Sequence, residues 1–109
     1  MAAAHTNDQT AWADLNDVDK LIHEPARLAI MAILTVLDSA DFLYLQRSAG
    51  LTKGNLSSHL SKLEEAGYVE IDKTFDGKIP RTLCRLTPAG RESFANYTAQ
   101  MKGLFSNLP

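Results

Sequence analysis

Hydrophobic side chains recur at helical spacing in the first third of the chain. Four large apolar residues are separated by three or four positions: Trp12, Leu15, Val18 and Ile22. This spacing predicts an amphipathic helix over residues 11–22. Pro25 suits the first position of a second helix, and the stretch after it, ARLAIMAILTVL, is apolar on nearly every side. Because such a helix is covered on several faces, we expect it to lie at the centre of the fold.

Two shorter helices with a tight turn between them are predicted next. The segment from Asp41 to Gly50 begins with a brief extended piece and continues as one or two helical turns. Thr52 is a favoured N-cap residue and Gly67 a favoured stop, which predicts a helix over residues 52–66. The leucines of this helix fall on one stripe: Leu56, Leu60 and Leu63. The opposite face therefore carries only small and polar side chains.

After Gly67 the apolar period changes to two, which indicates β-structure. Residues 68–87 predict a hairpin, with a strand from Tyr68, a turn-rich tip FDGKIP and a return strand RTLCRL. Thr87 and Pro88 supply the N-cap and first residue of a last helix, predicted over residues 88–108. The apolar residues of this helix alternate steps of three and four: Phe94, Tyr97, Met101, Leu104 and Leu108.

This order of elements predicts a mainly α protein with a β-hairpin wing, in the α+β class. A short helix, a tight turn and a second helix form a helix-turn-helix, and a hairpin directly after it makes a winged one. Additional helices are predicted at the N- and C-terminal ends. We expect a single domain over residues 1–109, because this length has room for one core and the sequence has neither repeats nor a long linker.

The net charge of −2 hides an uneven distribution. Residues 1–46 carry two cationic and seven acidic side chains, whereas residues 47–91 carry eight and five. Residues 47–91 are therefore basic, whereas residues 1–46 are acidic. A basic segment is consistent with a nucleic-acid partner, although many solvent-exposed surfaces carry a similar charge.

Cysteine and histidine usage argues against a metal or redox centre. Cys84 is the single cysteine, so the chain has no internal disulfide and no Cys-rich zinc site. Cys84 alternates with Leu86 on one strand face, which favours a buried structural role. The histidines His5, His23 and His59 lack metal-ligand spacing, and we expect no metal or cofactor. Without a nucleophile elbow or phosphate-binding loop, we expect no enzyme.

The first ten residues, MAAAHTNDQT, have neither a basic nor an apolar region of a secretory signal. We expect residues 1–10 to be frayed. The apolar run from Leu28 to Leu37 is about half the length of a membrane span. The sequence therefore predicts no membrane association and a cytoplasmic location.

The polar face of the 52–66 helix carries what a helix needs in the major groove of DNA. Small side chains allow close approach in a groove about 12 Å wide. Asn55 can pair with adenine and Lys53 with guanine or a phosphate. An arginine on the hairpin suits a narrow minor groove. A solvated, serine-rich surface would show the same periodicity, and we expect His59 at the boundary of this face, against the core or the hairpin.

Several segments together resemble the MarR/ArsR-like winged-helix transcriptional regulators, and above all the small single-domain winged helix DNA-binding family. The resemblance covers residues 16–106 and is carried by HEPARLAIMAIL, by GLTKGNLSSHLSKLEEAGYVEIDKTFDGKIPRTLCRLTPAGR and by the terminal helix. It implies a recognition helix over residues 52–66 and operator DNA as partner, usually with repression. The tip DGKIP departs from the pattern, because Asp76 and Ile79 stand where a more basic tip is expected. The predicted DNA-binding residues are Thr52, Lys53, Gly54, Asn55, Ser57, Ser58, Ser61, Lys62, Lys73, Lys78 and Arg81.

The same resemblance implies a homodimer, and a chain of this size has limited capacity to cover its apolar surface alone. A two-fold dimer would place two recognition helices about 34 Å apart, on a pseudo-palindromic site. A small-molecule effector between the terminal helices stays open, as does a winged helix that serves protein interaction or assembly without binding DNA. The predicted dimerisation residues are Trp12, Leu15, Val18, Ile22, Phe94, Tyr97, Met101, Leu104, Phe105 and Leu108.

Overall fold

The elements of the fold follow the order expected from the sequence. The structure is a computed structural model that describes residues 11–109, so the expectation for residues 1–10 lies outside the described residues. The described residues form a 3-10 helix, four α-helices and three strands, in this order: the 3-10 helix Ala11–Asp17, α1 Pro25–Val36, β1 Ala40–Asp41, α2 Phe42–Ala49, α3 Lys53–Glu65, β2 Val69–Asp76, β3 Ile79–Leu86 and α4 Pro88–Phe105. The predicted class, mainly α with a β-hairpin wing, is confirmed.

Each α-helix begins where a side-chain oxygen accepts a backbone N–H of its first turn. The capping residues are Glu24, Asp41, Thr52 and Thr87, and each accepts the N–H three positions along. Such a cap satisfies one of the N–H groups that lack a partner within the helix. The caps at Thr52 and Thr87 were predicted and are confirmed.

The three strands form an antiparallel sheet in the order β1-β3-β2. Strands β2 and β3 pair from Val69 opposite Leu86 to Asp76 opposite Ile79, and we refer to this hairpin as the wing. The segment FDGKIP was predicted as a turn-rich tip, but the pairing continues until only Gly77 and Lys78 remain in the turn. Gly77 has a φ of 66°, as the first central residue of a type II′ turn requires.

The buried side chains of α1, α3 and the sheet form one hydrophobic cluster. Leu56, Leu60 and Leu63, which we call the leucine stripe, hold α3 against this cluster. Cys84 is fully buried among them, and its predicted structural role is consistent with this position. Burial raises the pKa of the Cys84 thiol to about 11, so the thiol stays protonated near neutral pH.

Helix α1 is less completely covered than its composition suggested. Ile30, Met31 and Leu34 are fully buried, but Val36 is 83% exposed. Helix α1 contacts α2, α3, α4 and β3, and these neighbours leave its C-terminal end uncovered. The expectation of a helix covered on several faces is therefore wrong at this end.

The predicted helix over residues 11–22 is wrong in its second half. The 3-10 helix ends at Asp17, and the carboxylate of Asp19 accepts the N–H groups of Leu21 and Ile22 at 2.9 and 3.2 Å. A side chain that captures nearby N–H groups competes with helix formation. The hydroxyl of Tyr68 donates to the other Asp19 oxygen, which ties this segment to the start of the wing. At the other end of the chain, α4 ends at Phe105, before the predicted residue 108.

Half of the predicted dimerisation residues are covered by the chain itself. The buried ones are Val18, Ile22, Phe94, Tyr97 and Leu104. Val18, Ile22, Phe94 and Tyr97 belong to the hydrophobic cluster of the protein's own core, so their assignment to a subunit interface is corrected, whereas Leu104 is buried outside that cluster. Leu15 and Met101 are half-buried, and the exposed members are Trp12, Phe105 and Leu108.

Residues 11–109 hold neither a candidate membrane span nor a candidate metal cluster. None of the helices in this range is both long and apolar enough to cross a membrane. Nowhere in the same range do three histidine, cysteine or acidic side chains stand close enough to hold a metal ion. His23 instead lies 2.7 Å from the Tyr97 hydroxyl, measured from its Nδ1 atom.

Candidate nucleic-acid interface

A tight turn sets α3 at an angle to α2. Gly50 ends α2 in the left-handed region with a φ of 67°, where a side chain would be strained. The Gly50 N–H donates to the carbonyl of Arg47 at 3.2 Å, and the Leu51 N–H donates to the carbonyl of Gln46 at 3.0 Å. Thr52 then caps α3 by accepting the N–H of Asn55 at 3.1 Å. The chain thus turns within Gly50–Thr52, as a helix-turn-helix requires.

Burial of the leucine stripe turns the other side of α3 outward. The predicted DNA-binding positions on this helix are all exposed: Lys53, Gly54, Asn55, Ser57, Ser58, Ser61 and Lys62. Gly54 has no atom within 4 Å of the place where a Cβ would stand, so this part of the helix surface is open. Helix α3 therefore exposes a polar face on which most side chains are small.

A groove of about 980 Å³ separates α3 from the wing. Lys53, Ser57 and Ser61 line it from α3, and Lys73 and Arg81 line it from the wing. The structure thus brings these predicted residues together. The other predicted residues of α3 lie outside the groove, and Lys78 lies in the turn of the wing.

The sequence reasoning missed several residues of the groove. Leu43 and Gln46 line it from α2, and Asp41 and Glu64 bring carboxylates to it. Ile79 lines it from the wing and was noted only as a departure from a basic tip. Leu43 carried a usable signal, since it is the second residue of a short helix, two positions after the N-cap Asp41, and need not face the core.

Arg81 does not project as a free cation. Its guanidinium donates to Asp41 Oδ2 at 3.0 Å and lies 3.7 Å from Asp76 Oδ2. The pKa of Asp41 is lowered, first by the hydrogen bond from the Tyr44 N–H and then by Arg81. In this structure Arg81 links the wing to the start of α2, and its entry into a minor groove stays a prediction.

Arg85 is also neutralised locally, because it donates to Asp72 at 2.6 Å and to Glu70 at 2.7 Å. These contacts raise the pKa of the Arg85 guanidinium. In contrast, the lysines beside the groove form no ion pair within residues 11–109. The cations of α3 and the wing that form no ion pair in the described part of the chain are therefore lysines: Lys53, Lys62, Lys73 and Lys78.

His59 lies at the edge of the polar face, as predicted, and its polar neighbours come from the start of α1. Its Nδ1 accepts from an Arg27 Nη1 at 3.1 Å and lies 4.0 Å from Glu24 Oε1. The pKa of Glu24 is lowered, mainly by the hydrogen bond from the Arg27 N–H. His59 thus connects α3 with the first turn of α1, and not with the wing.

These features define a class of protein, the winged helix-turn-helix proteins. A family model described as winged helix DNA-binding domain matches residues 26–105. The chain belongs to this family, as its motifs indicated.

Known proteins resemble the chain over most of its length. The uncharacterized protein MJ0432 of Methanocaldococcus jannaschii is 37% identical over 89 residues, which are 82% of this chain and 97% of the relative. The transcriptional regulator homologue from Pyrococcus horikoshii OT3 is 31% identical, with a TM-score of 0.82 over 88% of this chain and 97% of that one.

More distant structures share the fold. A putative MarR-family regulator from Enterococcus faecalis V583 superimposes with a TM-score of 0.71 at 22% identity, over 84% of this chain and 83% of that one. NadR, solved in complex with 4-hydroxyphenylacetate, gives a TM-score of 0.65 at 20% identity, over 90% and 72%. The chain therefore has the winged-helix fold of MarR-type transcriptional regulators.

Proposed function

We propose that the protein is a sequence-specific, DNA-binding transcriptional regulator that inserts α3 into the major groove. The observation that carries this proposal is the presentation of α3. Its leucine stripe is buried, while its small, polar face is exposed beside a groove bordered by lysines that form no ion pair within residues 11–109. That combination suits a duplex, whose major groove accepts a helix and whose phosphates attract cations.

The predicted site residues divide into two kinds of contact. Asn55, Ser57 and Ser58 are short side chains suited to base edges or nearby phosphates. Lys53, Lys73 and Lys78 are suited to phosphates, which fix the register of the protein on DNA without reading sequence. The N-terminus of α3, capped by Thr52, also favours an anion. Gly54, Ser61 and Lys62 complete the exposed surface of the helix.

We further propose a homodimer that represses transcription from a pseudo-palindromic operator. The exposed residues Trp12, Phe105 and Leu108 supply apolar surface for such an interface, and Leu15 and Met101 border it. A small-molecule effector between the terminal helices belongs to this proposal, in parallel with NadR, whose structure holds 4-hydroxyphenylacetate. A DNA-bound regulator of this kind would act in the cytoplasm, without enzymatic activity.

The proposal is tested by fluorescence anisotropy with a labelled duplex of about 30 base pairs over a series of salt concentrations. We expect the logarithm of the association constant to fall linearly with the logarithm of salt, by about 0.9 for each phosphate neutralised. The double variant Lys73→Ala/Lys78→Ala should give a shallower slope. Lys102→Ala, which removes an exposed lysine of α4 outside the groove, is the matched control and should keep the wild-type slope.

A second candidate is a protein-interaction module, which is favoured by exposed apolar side chains near the groove such as Leu43. The same titration separates the two candidates. Absence of binding at low salt would refute direct DNA recognition and leave the interaction module.

A further inference from the structure

The end of the wing carries two large, exposed apolar side chains, Phe75 and Ile79, which we call the tip pair. Phe75 is 69% exposed and Ile79 is 67% exposed. Phe75 pairs with Pro80 and Ile79 pairs with Asp76, one step apart along the hairpin. Because successive residues of a strand point to opposite faces, the tip pair presents one apolar side chain on each face of the wing.

The tip pair lies outside the hydrophobic core. Neither residue belongs to the hydrophobic cluster or to the side chains packed against it. The turn is set by Gly77, and the hairpin is held by the pairing of β2 with β3. Exposing two large apolar side chains to water is unfavourable, so their position at the end of a projecting hairpin points to an apolar partner in the bound state.

The surroundings of the tip pair indicate which partner this is. Ile79 lines the same groove as Lys53 and Ser57 of α3, so the tip continues the surface that we assign to DNA. Lys73 and Lys78 lie close in sequence to Phe75 and Ile79. The one carboxylate within the tip, Asp76, is 3.7 Å from the Arg81 guanidinium, which it shares with Asp41. Two apolar side chains bordered by lysines match a duplex, which has apolar base faces between phosphates.

We propose that the tip pair acts as an apolar wedge, which enters the minor groove beside the recognition site and partly unstacks a base step there. This inference rests on the proposed function, and it specifies how the wing contacts the same duplex. Apolar wedges of this kind kink DNA. Since pyrimidine–purine steps unstack most easily, the wedge also selects such a step under the wing, without a hydrogen bond to any base.

The test begins with a duplex selected from random sequences by the wild-type protein. 2-Aminopurine, whose fluorescence rises when it is unstacked, is then placed at successive positions flanking the recognition site. The double variant Phe75→Ser/Ile79→Thr removes the apolar wedge, and Phe75→Leu/Ile79→Val retains it as the matched control. Both variants change exposed positions, so both are expected to fold, and circular dichroism verifies this.

We expect the wild-type protein and the Leu/Val variant to raise the fluorescence at one flanking step on each side, and the Ser/Thr variant to lose this signal. The Ser/Thr variant should also bind about tenfold more weakly, since two partly buried apolar side chains are lost from the complex. Its salt slope should equal that of the wild type, because no phosphate contact is removed. Lys78→Ala should instead lower the slope by about 0.9.

Two negative results have different meanings. If the selected duplex binds but no flanking position brightens, or the Ser/Thr variant binds as tightly as the wild type, the wedge is refuted and DNA binding stands. If no duplex is selected and none binds at low salt, the proposed function is refuted together with the wedge.

Discussion

Arg81 and Asp41 form an ion pair that joins the wing to the helix-turn-helix. The guanidinium donates to Asp41 Oδ2 at 3.0 Å, while Asp41 Oδ1 accepts the N–H of Tyr44 at 2.8 Å and so caps α2. One oxygen of the Asp41 carboxylate thus caps helix α2, and the other accepts from the Arg81 side chain of strand β3. The pair bridges the groove edge, so it helps to set the position of the wing relative to α2.

Substitutions of Asp41 should separate its two roles. Asparagine also caps helices, so Asp41→Asn keeps the cap and loses only the ion pair, which costs less than about 1 kcal/mol at an exposed site. Asp41→Ala loses the cap as well, which costs a further amount of about 1 kcal/mol. Urea unfolding at pH 7 measures both free energies. Equal losses in the two variants would show that Asp41 does not cap α2.

The pH dependence of the unfolding free energy provides a second test of the ion pair between Arg81 and Asp41. The pKa of Asp41 is lowered in the folded protein, so its carboxylate contributes stability above the ordinary value of 3.8. That contribution is lost as the pH falls through the lowered folded-state pKa. The difference in unfolding free energy between the wild type and Asp41→Asn should therefore shrink below about pH 4. A constant difference from pH 7 to pH 2 would contradict the ionic role.

Gly90 is expected to tolerate no side chain. A Cβ at this position would stand 2.1 Å from the Tyr68 carbonyl oxygen, because α4 begins against the start of the wing. Gly90→Ala should lower the free energy of unfolding by about 2–4 kcal/mol through this overlap with backbone. Thermal and urea unfolding measure the loss.

Gly103→Ala is the matched control in the same helix. No atom lies within 4 Å of a Cβ built at Gly103, and alanine is favoured over glycine within a helix by about 0.5–1 kcal/mol. This variant should be slightly more stable than the wild type. A stabilising Gly90→Ala would show that α4 and Tyr68 are farther apart than described.

The thiol of Cys84 should be inert in the folded protein. It is fully buried, and burial raises its pKa to about 11, so little reactive thiolate exists at pH 8. The aromatic disulfide DTNB should react with it only as fast as the protein unfolds. Addition of urea should restore rapid reaction, whereas rapid labelling without urea would reopen the possibility of a redox switch.

Asn55 is the residue to test for base recognition. On a selected duplex, Asn55→Ala should weaken binding by about 1–3 kcal/mol and relax base preference at one position. Repeated selection with the variant measures that preference. Lys53→Ala is the comparison, since loss of a phosphate contact should weaken binding to all sequences alike. An equal loss on every sequence for Asn55→Ala would assign Asn55 to the backbone of DNA.

The proposed dimer is tested at the exposed end of the chain. Phe105 and Leu108 are each 54% exposed, and Phe105→Glu/Leu108→Glu should raise the dimer dissociation constant at least about tenfold. Sedimentation velocity over a concentration series measures it. Leu43→Glu, at a position 59% exposed within the groove, should leave the dimer intact. A wild-type protein that sediments as a monomer throughout would contradict the proposal.

The sequence by itself determined the elements whose signals are local. A threonine cap acts on an N–H three residues away, the leucine stripe repeats within one helix, and Gly77 shapes a turn between adjacent strands. These interactions span a few residues, so their pattern can be read without the fold. Helix α3, the wing and the exposed polar face of α3 were predictable for this reason.

Tertiary structure decided the rest, because the partners are distant in the chain. Arg81 meets Asp41 across 40 positions, and the Tyr68 hydroxyl meets Asp19 across 49. No periodicity encodes such contacts, so Arg81 looked like a free cation. The apolar pattern of α4 likewise could not distinguish Tyr97, which is buried by its own chain, from Phe105, which is exposed. Spacing identifies the apolar face of a helix, but only packing in three dimensions determines what covers it.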